Sequence, residues 1–277
     1  MMIVDAHTHA GLNWFEPVEM LIHQMNLNKV EQAVLIQHGQ PESGGYDHTY
    51  LFECAQRFPG RFAVVVIVDL GGPDPTEVLE AHVENGAVGI RLLPTQRSAG
   101  NDSLAIWRKA NELGLAVSVM GSAIQVASAP FRDLVSQFSD MPIVLEHLVE
   151  GAGRASFPFN APGPLPPYET FRRAMELADY PNVYIKVPGL GELANRPARL
   201  PRKYGYDFFD SIPPLVEIAR EAFGARRMMW GSDYPPVSGR EGYRNALQGI
   251  LEHPAFTSAD LQWVMGKTAL SVFQPSS

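Results

Sequence analysis

Residues 62–69 read FAVVVIVD, a β-branched run without the polar alternation of a strand that has one face in water. Such a run is a strand buried on both faces, as in a parallel sheet covered by helices. PIVLEH at 142–147 has the same character. Six further short apolar runs follow along the chain, at 2–7, 32–37, 87–92, 115–120, 182–187 and 227–232. Between them the spacing predicts helices near 16–29, 47–58, 74–86, 102–113, 129–138, 167–179, 209–223 and 240–252, and a last one near 258–272. Asp74-Pro75 and Asp102 offer N-terminal caps, and Gly86 and Gly114 stand where a left-handed C-terminal residue is wanted. Eight strands, each followed by a helix with no linker or compositional break, predict an α/β fold. It is one (β/α)8 barrel of the TIM type over residues 1–277 rather than an open doubly wound sheet. Two connections are long and rich in proline and glycine, 148–166 after strand six and 188–208 after strand seven. Both leave the C-terminal ends of strands, where barrels build their sites, and read as pocket walls or lids, or as plain surface excursions.

Of the 277 residues, 45% are apolar and 19% charged, the balance of a folded globular chain. Lys and Arg number 22 against 30 Asp and Glu, a net charge of -8. That field repels polyanions, so nucleic acid is not the expected partner and a small molecule is. No apolar run reaches the 18 or so residues that a membrane helix needs, and no basic leader precedes the first apolar run. The single cysteine, Cys54, excludes an intramolecular disulfide and reads as a small buried hydrophobe. The expected location is the cytoplasm, and a homo-oligomer is left open.

The chemistry concentrates at strand ends. In DAHTH, His7 and His9 close the first strand. Side chains alternate with period two, so both imidazoles share a face, roughly 6.6 Å apart along the strand, with Thr8 opposite. That spacing suits two ligands of one metal ion. In WGSDYP, Asp233 follows the eighth strand. A barrel makes strands one and eight neighbours, which sets Asp233 beside the two histidines. The competing reading of Asp233 is a turn cap, since Tyr-Pro-Pro follows. His147 ends the sixth strand in IVLEH, and alone it would read as a core histidine. Its place on the same rim favours catalysis. Arg91 ends the fourth strand and Lys186 lies in the seventh; each is costly to bury unpaired, so each asks for an anionic partner. For Arg91 that partner is a substrate group or else Asp69 or Glu146. Gln37 and His38 end strand two, and Tyr46, Asp47 and His48 open the next helix, as substrate contacts or as loop and cap residues. His23, His82 and His253 fall on helices as surface or packing residues.

Taken in order, DAHTH, YDHTYLFECAQRFPGRFAVVVIVD, GAVGIRLLP, PIVLEHL, NVYIKVPGL, RMMWGSDYP and GKTALSVF resemble the amidohydrolase superfamily. The nearest group is amidohydrolase 2, and within it the lactonase branch of pyrone-dicarboxylate-lactonase-like enzymes. The resemblance spans nearly the whole chain. It implies catalysis by Asp233 and His147, and a substrate carboxylate or polar oxygen on Arg91, with Lys186, His38 and Tyr46 as further contacts. It also implies a divalent metal, zinc first, on His7, His9 and Asp233. One departure stands out. Metal-dependent relatives carry a histidine at the end of strand five, where this chain has Met120 and Gly121, and a thioether is a poor ligand for zinc. The lactonase branch resembles this chain in lacking that histidine, and some of its members work without a metal.

The resulting expectation is hydrolysis of a small lactone or cyclic ester, of the sugar-acid or aromatic-catabolic type, by direct attack of an activated water with Asp233 as base. A metal-dependent decarboxylase or hydratase of the same superfamily is the second class, and Met120 weighs against it. A non-catalytic binding barrel is the third.

Overall fold

The computed structural model describes residues 1–11, 16–38, 46–150, 164–193 and 212–273. Its eight strands are β1 Val4–Thr8, β2 Gln32–Ile36, β3 Phe62–Val66, β4 Ala87–Leu92, β5 Ala116–Val119, β6 Ile143–Leu145, β7 Val183–Val187 and β8 Met228–Trp230. They form one sheet in sequence order, every neighbouring pair parallel. Helices follow the strands, as the barrel requires. The strands are nearly all buried on both faces, which is why they read as apolar runs instead of alternating ones. No helix among the described residues is long and apolar enough to cross a membrane.

The barrel closes by unusual means. Between β1 and β8 the described residues form one isolated bridge, Thr8 with Tyr234, in place of a ladder. Asp233 N donates to His7 O at 2.9 Å and His9 N to Tyr234 O at 2.8 Å. Lower down, the Asp5 carboxylate does the work of a missing backbone acceptor: Ser232 N donates to its Oδ1 at 2.8 Å. The seam is therefore tightest at the C-terminal ends of β1 and β8.

Inside the barrel Val4, Ala6, Val34, Ile36, Ala63, Val65, Ala116, Val144 and Met229 pack together with Ala269 and Phe273 of the last helical segment. That segment crosses the start of β1, and Gly266 lies so near that a Cβ would stand 2.4 Å from Met2 O. A second, larger apolar cluster joins the outer strand faces to the helices. Burying the larger side chains completely is worth about 1.5–3 kcal/mol each, and Trp107, Trp230, Phe131 and Phe171 are all fully buried.

Local details differ from the sequence reading. The last helix runs Ser258–Gln262, Trp263–Lys267 in π form and Thr268–Val272. The predicted 167–179 helix is α over Glu169–Met175 and 3-10 over Glu176–Asp179. Short helices at Ala123–Val126 and Leu190–Leu193 are too brief to leave a periodic signature. Asp74 occupies an N-cap position but makes no side-chain cap bond, because its own backbone is left-handed, with φ 44°. Gly86 and Gly114 do take positive φ, 97° and 67°. Of the two long connections, residues 151–163 and 194–211 lie outside the described residues, so their reading as walls or lids does too.

Candidate active site

His7 and His9 reach the interior through a flaw in β1. Val4 and Ala6 already face inward, and strict alternation would then send His7 outward. The pairing with β2 runs Val4–Gln32, Asp5–Ala33, Thr8–Leu35, so three steps on β1 match two on β2. The extra residue shifts the parity, as a bulge does. Both imidazoles now converge on one carboxylate oxygen, Asp233 Oδ1, with His9 Nε2 at 3.3 Å and His7 Nε2 at 3.8 Å. Thr8 points away and donates to Val34 O at 2.9 Å. Gly231 makes room, since a Cβ there would stand 2.6 Å from His7 Cβ.

Asp233 is itself left-handed, φ 58°, a conformation that costs a non-glycine residue energy and recurs at functional sites. Its Oδ2 accepts from Arg240 Nη1 at 2.9 Å. Burial disfavours the charged carboxylate, but the adjacent His9 imidazole and the His147 and Arg240 charges outweigh it and hold the group well below the usual carboxylate range. His9 Nδ1 lies 2.8 Å from Ile36 O. A carbonyl only accepts, so the ring carries its proton on Nδ1 and turns Nε2 to Asp233. Two acceptors 3.3 Å apart then need a proton or a cation between them.

β6 ends at Leu145, two residues earlier than the sequence reading places it, and His147 starts a 3-10 turn. His147, Leu148 and Val149 all have positive φ, 54°, 49° and 52°. This strained corner brings the His147 ring to 4.4 Å from that of His7. Its Nδ1 lies 2.7 Å from Glu192 Oε1. Burial works against the imidazolium, yet Glu192, with Asp233 and Glu146, raises the group above its ordinary value.

Beneath these residues lies a charged floor. Arg91 donates from Nε and Nη2 to Glu146 Oε2 at 3.0 and 2.7 Å, so Glu146 is the acidic partner that Arg91 finds. Ser118 Oγ donates to Glu146 Oε1 at 2.6 Å, and Lys186 Nζ donates to Ser118 Oγ at 2.9 Å. Burial alone would raise Glu146, but the Arg91 and Lys186 charges pull it down to about 2. Burial lowers Lys186 to about 8. Burial, with His147 and Lys186 nearby, pushes His7 well below its ordinary value, so it is neutral.

The remaining expected contacts spread outward. The His38 ring is 5.3 Å from that of His9, and burial lowers it to about 3. Tyr46 is farther from the centre, its ring 6.3 Å from that of His48. His48 packs 4.4 Å from His82 and accepts from Ile67 N at 3.0 Å. His23 is exposed, while His253 is buried. Met120 is only half-buried. Cys54 is free and buried in its helix.

Sequence reasoning missed Asp5, Ser118, Glu192 and Arg240, and met Glu146 only as a partner for Arg91. Asp5 had a signal, an acid inside an apolar strand two residues before a histidine. Glu192 and Arg240 sit outside the strands, in PGLGEL and SGREGY, where nothing local marks them.

Among the described residues one group of donors is compact enough for a metal: His7, His147 and Asp233, whose ligand atoms all lie within 4.8 Å of one another. The sequence set of His7, His9 and Asp233 thus becomes one with His147 in the tight group and His9 alongside it. The residues fit a divalent ion. They supply two imidazoles and a carboxylate, and His7 Nε2 is buried with no hydrogen-bond partner.

Known structures share this architecture. An amidohydrolase from Burkholderia multivorans, 19% identical with each chain fully covered, superposes with a TM-score of 0.72, and one of its structures holds zinc. A Pseudomonas putida protein provisionally named 2-pyrone-4,6-dicarboxylic acid hydrolase is 20% identical over 98% of this chain and 97% of its own, TM-score 0.70. The 5-carboxyvanillate decarboxylase of Sphingomonas paucimobilis is 14% identical over 99% of each chain, TM-score 0.63. No curated protein sequence matches the chain. The family model described as Amidohydrolase matches residues 24–274, a span that begins after β1 and so does not include His7 and His9. With nearly the whole barrel covered, the chain belongs to the amidohydrolase family, in its amidohydrolase 2 group.

Proposed function

We propose that this protein hydrolyses a small lactone or related cyclic ester by direct attack of water. The observation that carries the reading is the buried convergence of His7, His9 and His147 on Asp233, with no unengaged serine or cysteine beside it among the described residues. Two serines that border the centre among the described residues are engaged. Ser118 gives its proton to Glu146, and Ser232 Oγ accepts from Tyr234 N. The 2-pyrone-4,6-dicarboxylic acid hydrolase name of the Pseudomonas putida neighbour supports an acid-bearing lactone.

In this reading Asp233 Oδ1 takes a proton from water as its oxygen attacks the carbonyl carbon, since Oδ2 is committed to Arg240. His147 stands opposite and donates to the carbonyl oxygen as charge develops there, which Glu192 supports by holding the ring in its cationic form. The carbonyl then re-forms as the ring C–O bond breaks, His147 keeps its own proton, and the departing oxygen takes the proton that Asp233 received from water, giving the ring-opened hydroxy acid. Lys186 and Arg91 keep the floor positive against Glu146, with His38 and Tyr46 as outer contacts for the ring. A divalent ion, zinc first, would be held by Asp233 and by His7 and His147 in neutral form, and would acidify water and polarise the carbonyl in place of the His147 proton.

The test is single-turnover hydrolysis of 2-pyrone-4,6-dicarboxylate and of sugar-acid lactones in ¹⁸O water. Label in the product carboxylate with an unlabelled protein supports the reading. A covalent acyl-enzyme trapped by mass spectrometry, or no turnover of any lactone beside decarboxylation of an aromatic acid, overturns it.

A further inference from the structure

The three histidines of the centre have different outer partners. His147 turns Nδ1 to the Glu192 carboxylate at 2.7 Å, and His9 turns Nδ1 to the Ile36 carbonyl at 2.8 Å. Both partners accept, which is the usual support for a metal-binding imidazole, because it places the proton on the outer nitrogen and frees the inner one. His7 differs. Its Nδ1 faces Lys186 Nζ at 3.4 Å, a donor, while the nearest carboxylate oxygen, Glu146 Oε1, stands 3.8 Å away.

The lysine's orientation is fixed by its surroundings. The Ser118 hydroxyl spends its one proton on Glu146 Oε1, so it meets Lys186 as an acceptor, at 2.9 Å. The other Glu146 oxygen is taken twice over by Arg91. Nζ also sits 5.2 Å from the centre of the Phe273 ring, and the side chain is 1% exposed, so no bulk water offers it another direction. What remains within reach of Nζ is His7 Nδ1 at 3.4 Å, Glu146 Oε1 farther off at 3.8 Å and already bonded to Ser118, and the ring face.

We infer that Lys186 fixes His7 in its Nε2–H tautomer and thereby makes any divalent ion at this centre a weakly held one. With Nδ1 accepting, a neutral imidazole carries its proton on Nε2. That proton lies toward Asp233 Oδ1, 3.8 Å away, in the gap that the ion would fill. Binding an ion through Nε2 therefore requires His7 to move its proton to the side where Lys186 donates, or Lys186 to turn away. The inference rests on the proposed ion site but names a feature of the metal-free protein that can be seen without it.

Two measurements decide it. The first uses metal-free wild-type protein labelled with ¹⁵N-histidine, with His7 assigned by comparison with His7→Gln; two-bond nitrogen–proton correlations report the tautomer. His7 is expected as Nε2–H, and an Nδ1–H ring overturns the inference without any Lys186 variant having to fold. The second is zinc affinity by competition with a chromophoric chelator, for wild type, Lys186→Met and Lys186→Leu. Removing the donor is expected to tighten zinc at least about tenfold, the size of effect that outer partners of metal ligands command. Equal or weaker binding by folded variants overturns it. Zinc uptake by none of the three proteins removes the ion site proposed above, and the tautomer then decides alone for or against Lys186.

Discussion

Asp233 and Arg240 meet at 2.9 Å, Oδ2 to Nη1, and the same guanidinium reaches Glu192 Oε2 at 3.3 Å. Glu192 in turn holds His147. Two residues that touch the reacting centre are thus tied, outside it, to one buried arginine.

This chain of contacts predicts coupling. Arg240→Gln frees Asp233 Oδ2 and loosens Glu192; Glu192→Gln keeps an acceptor for His147 but loses the charge. Each is expected to cost about 10–100-fold in kcat, typical of groups that orient catalytic ligands. The double variant should fall short of the product of the two losses, as for residues in one network. Full multiplicative losses in a double-mutant cycle would mean that the two residues act separately.

Gly231→Ala probes the seam. The new methyl group would overlap His7 Cβ at 2.6 Å; His7 lies on β1 and Gly231 directly follows β8, so neither can move without parting the two strands. Overpacking of this kind costs about 1–3 kcal/mol. A lower urea midpoint, together with loss of lactone turnover greater than the stability change explains, is the expected result. Wild-type stability in Gly231→Ala would show the seam to be slacker than the described contacts.

The barrel was legible because every strand is wrapped by helices, which writes each of them as an apolar run regardless of order. His7, His9, His147 and Asp233 were legible because strand ends of a barrel share one rim. What the sequence concealed is of a different kind. The parity shift in β1 is invisible in DAHTH, where the right face was expected for the wrong reason, a regular strand. Glu192 and Arg240 act from connecting segments, and pairing across segments 48 residues apart leaves no periodic mark. Lys186 was noticed as hard to bury, but its hydrogen bond goes to Ser118, a residue with no charge to betray it, and Glu146 Oε1 stands at 3.8 Å behind that serine.

His48 gives a stability prediction far from the chemistry. It accepts from Ile67 N, and burial lowers it from 6.5 to about 3. The unfolded chain therefore binds more protons than the folded one between those values. Its contribution is complete above pH 6.5 and is lost as the pH falls toward 3. His48→Gln cannot titrate, so its urea midpoint should drop less than that of wild type between pH 7 and pH 4.5. Parallel drops in the two proteins would contradict the assignment.

Asp233→Asn tests the base. The substitution preserves shape and still offers an oxygen to Arg240, but it removes the negative oxygen facing His9 and His7. Loss of general-base help costs about 10²–10⁴-fold, and because Oδ2 is already bonded, no second oxygen of the same group can substitute. His147→Gln removes the opposite partner and should lower kcat by a comparable factor while leaving KM for an acid-bearing lactone within a few-fold, since Arg91 and its neighbours stay in place. Near-native kcat in Asp233→Asn together with collapse in His147→Gln would reverse the two roles, making His147 the proton acceptor and Asp233 the group that holds the centre's charge.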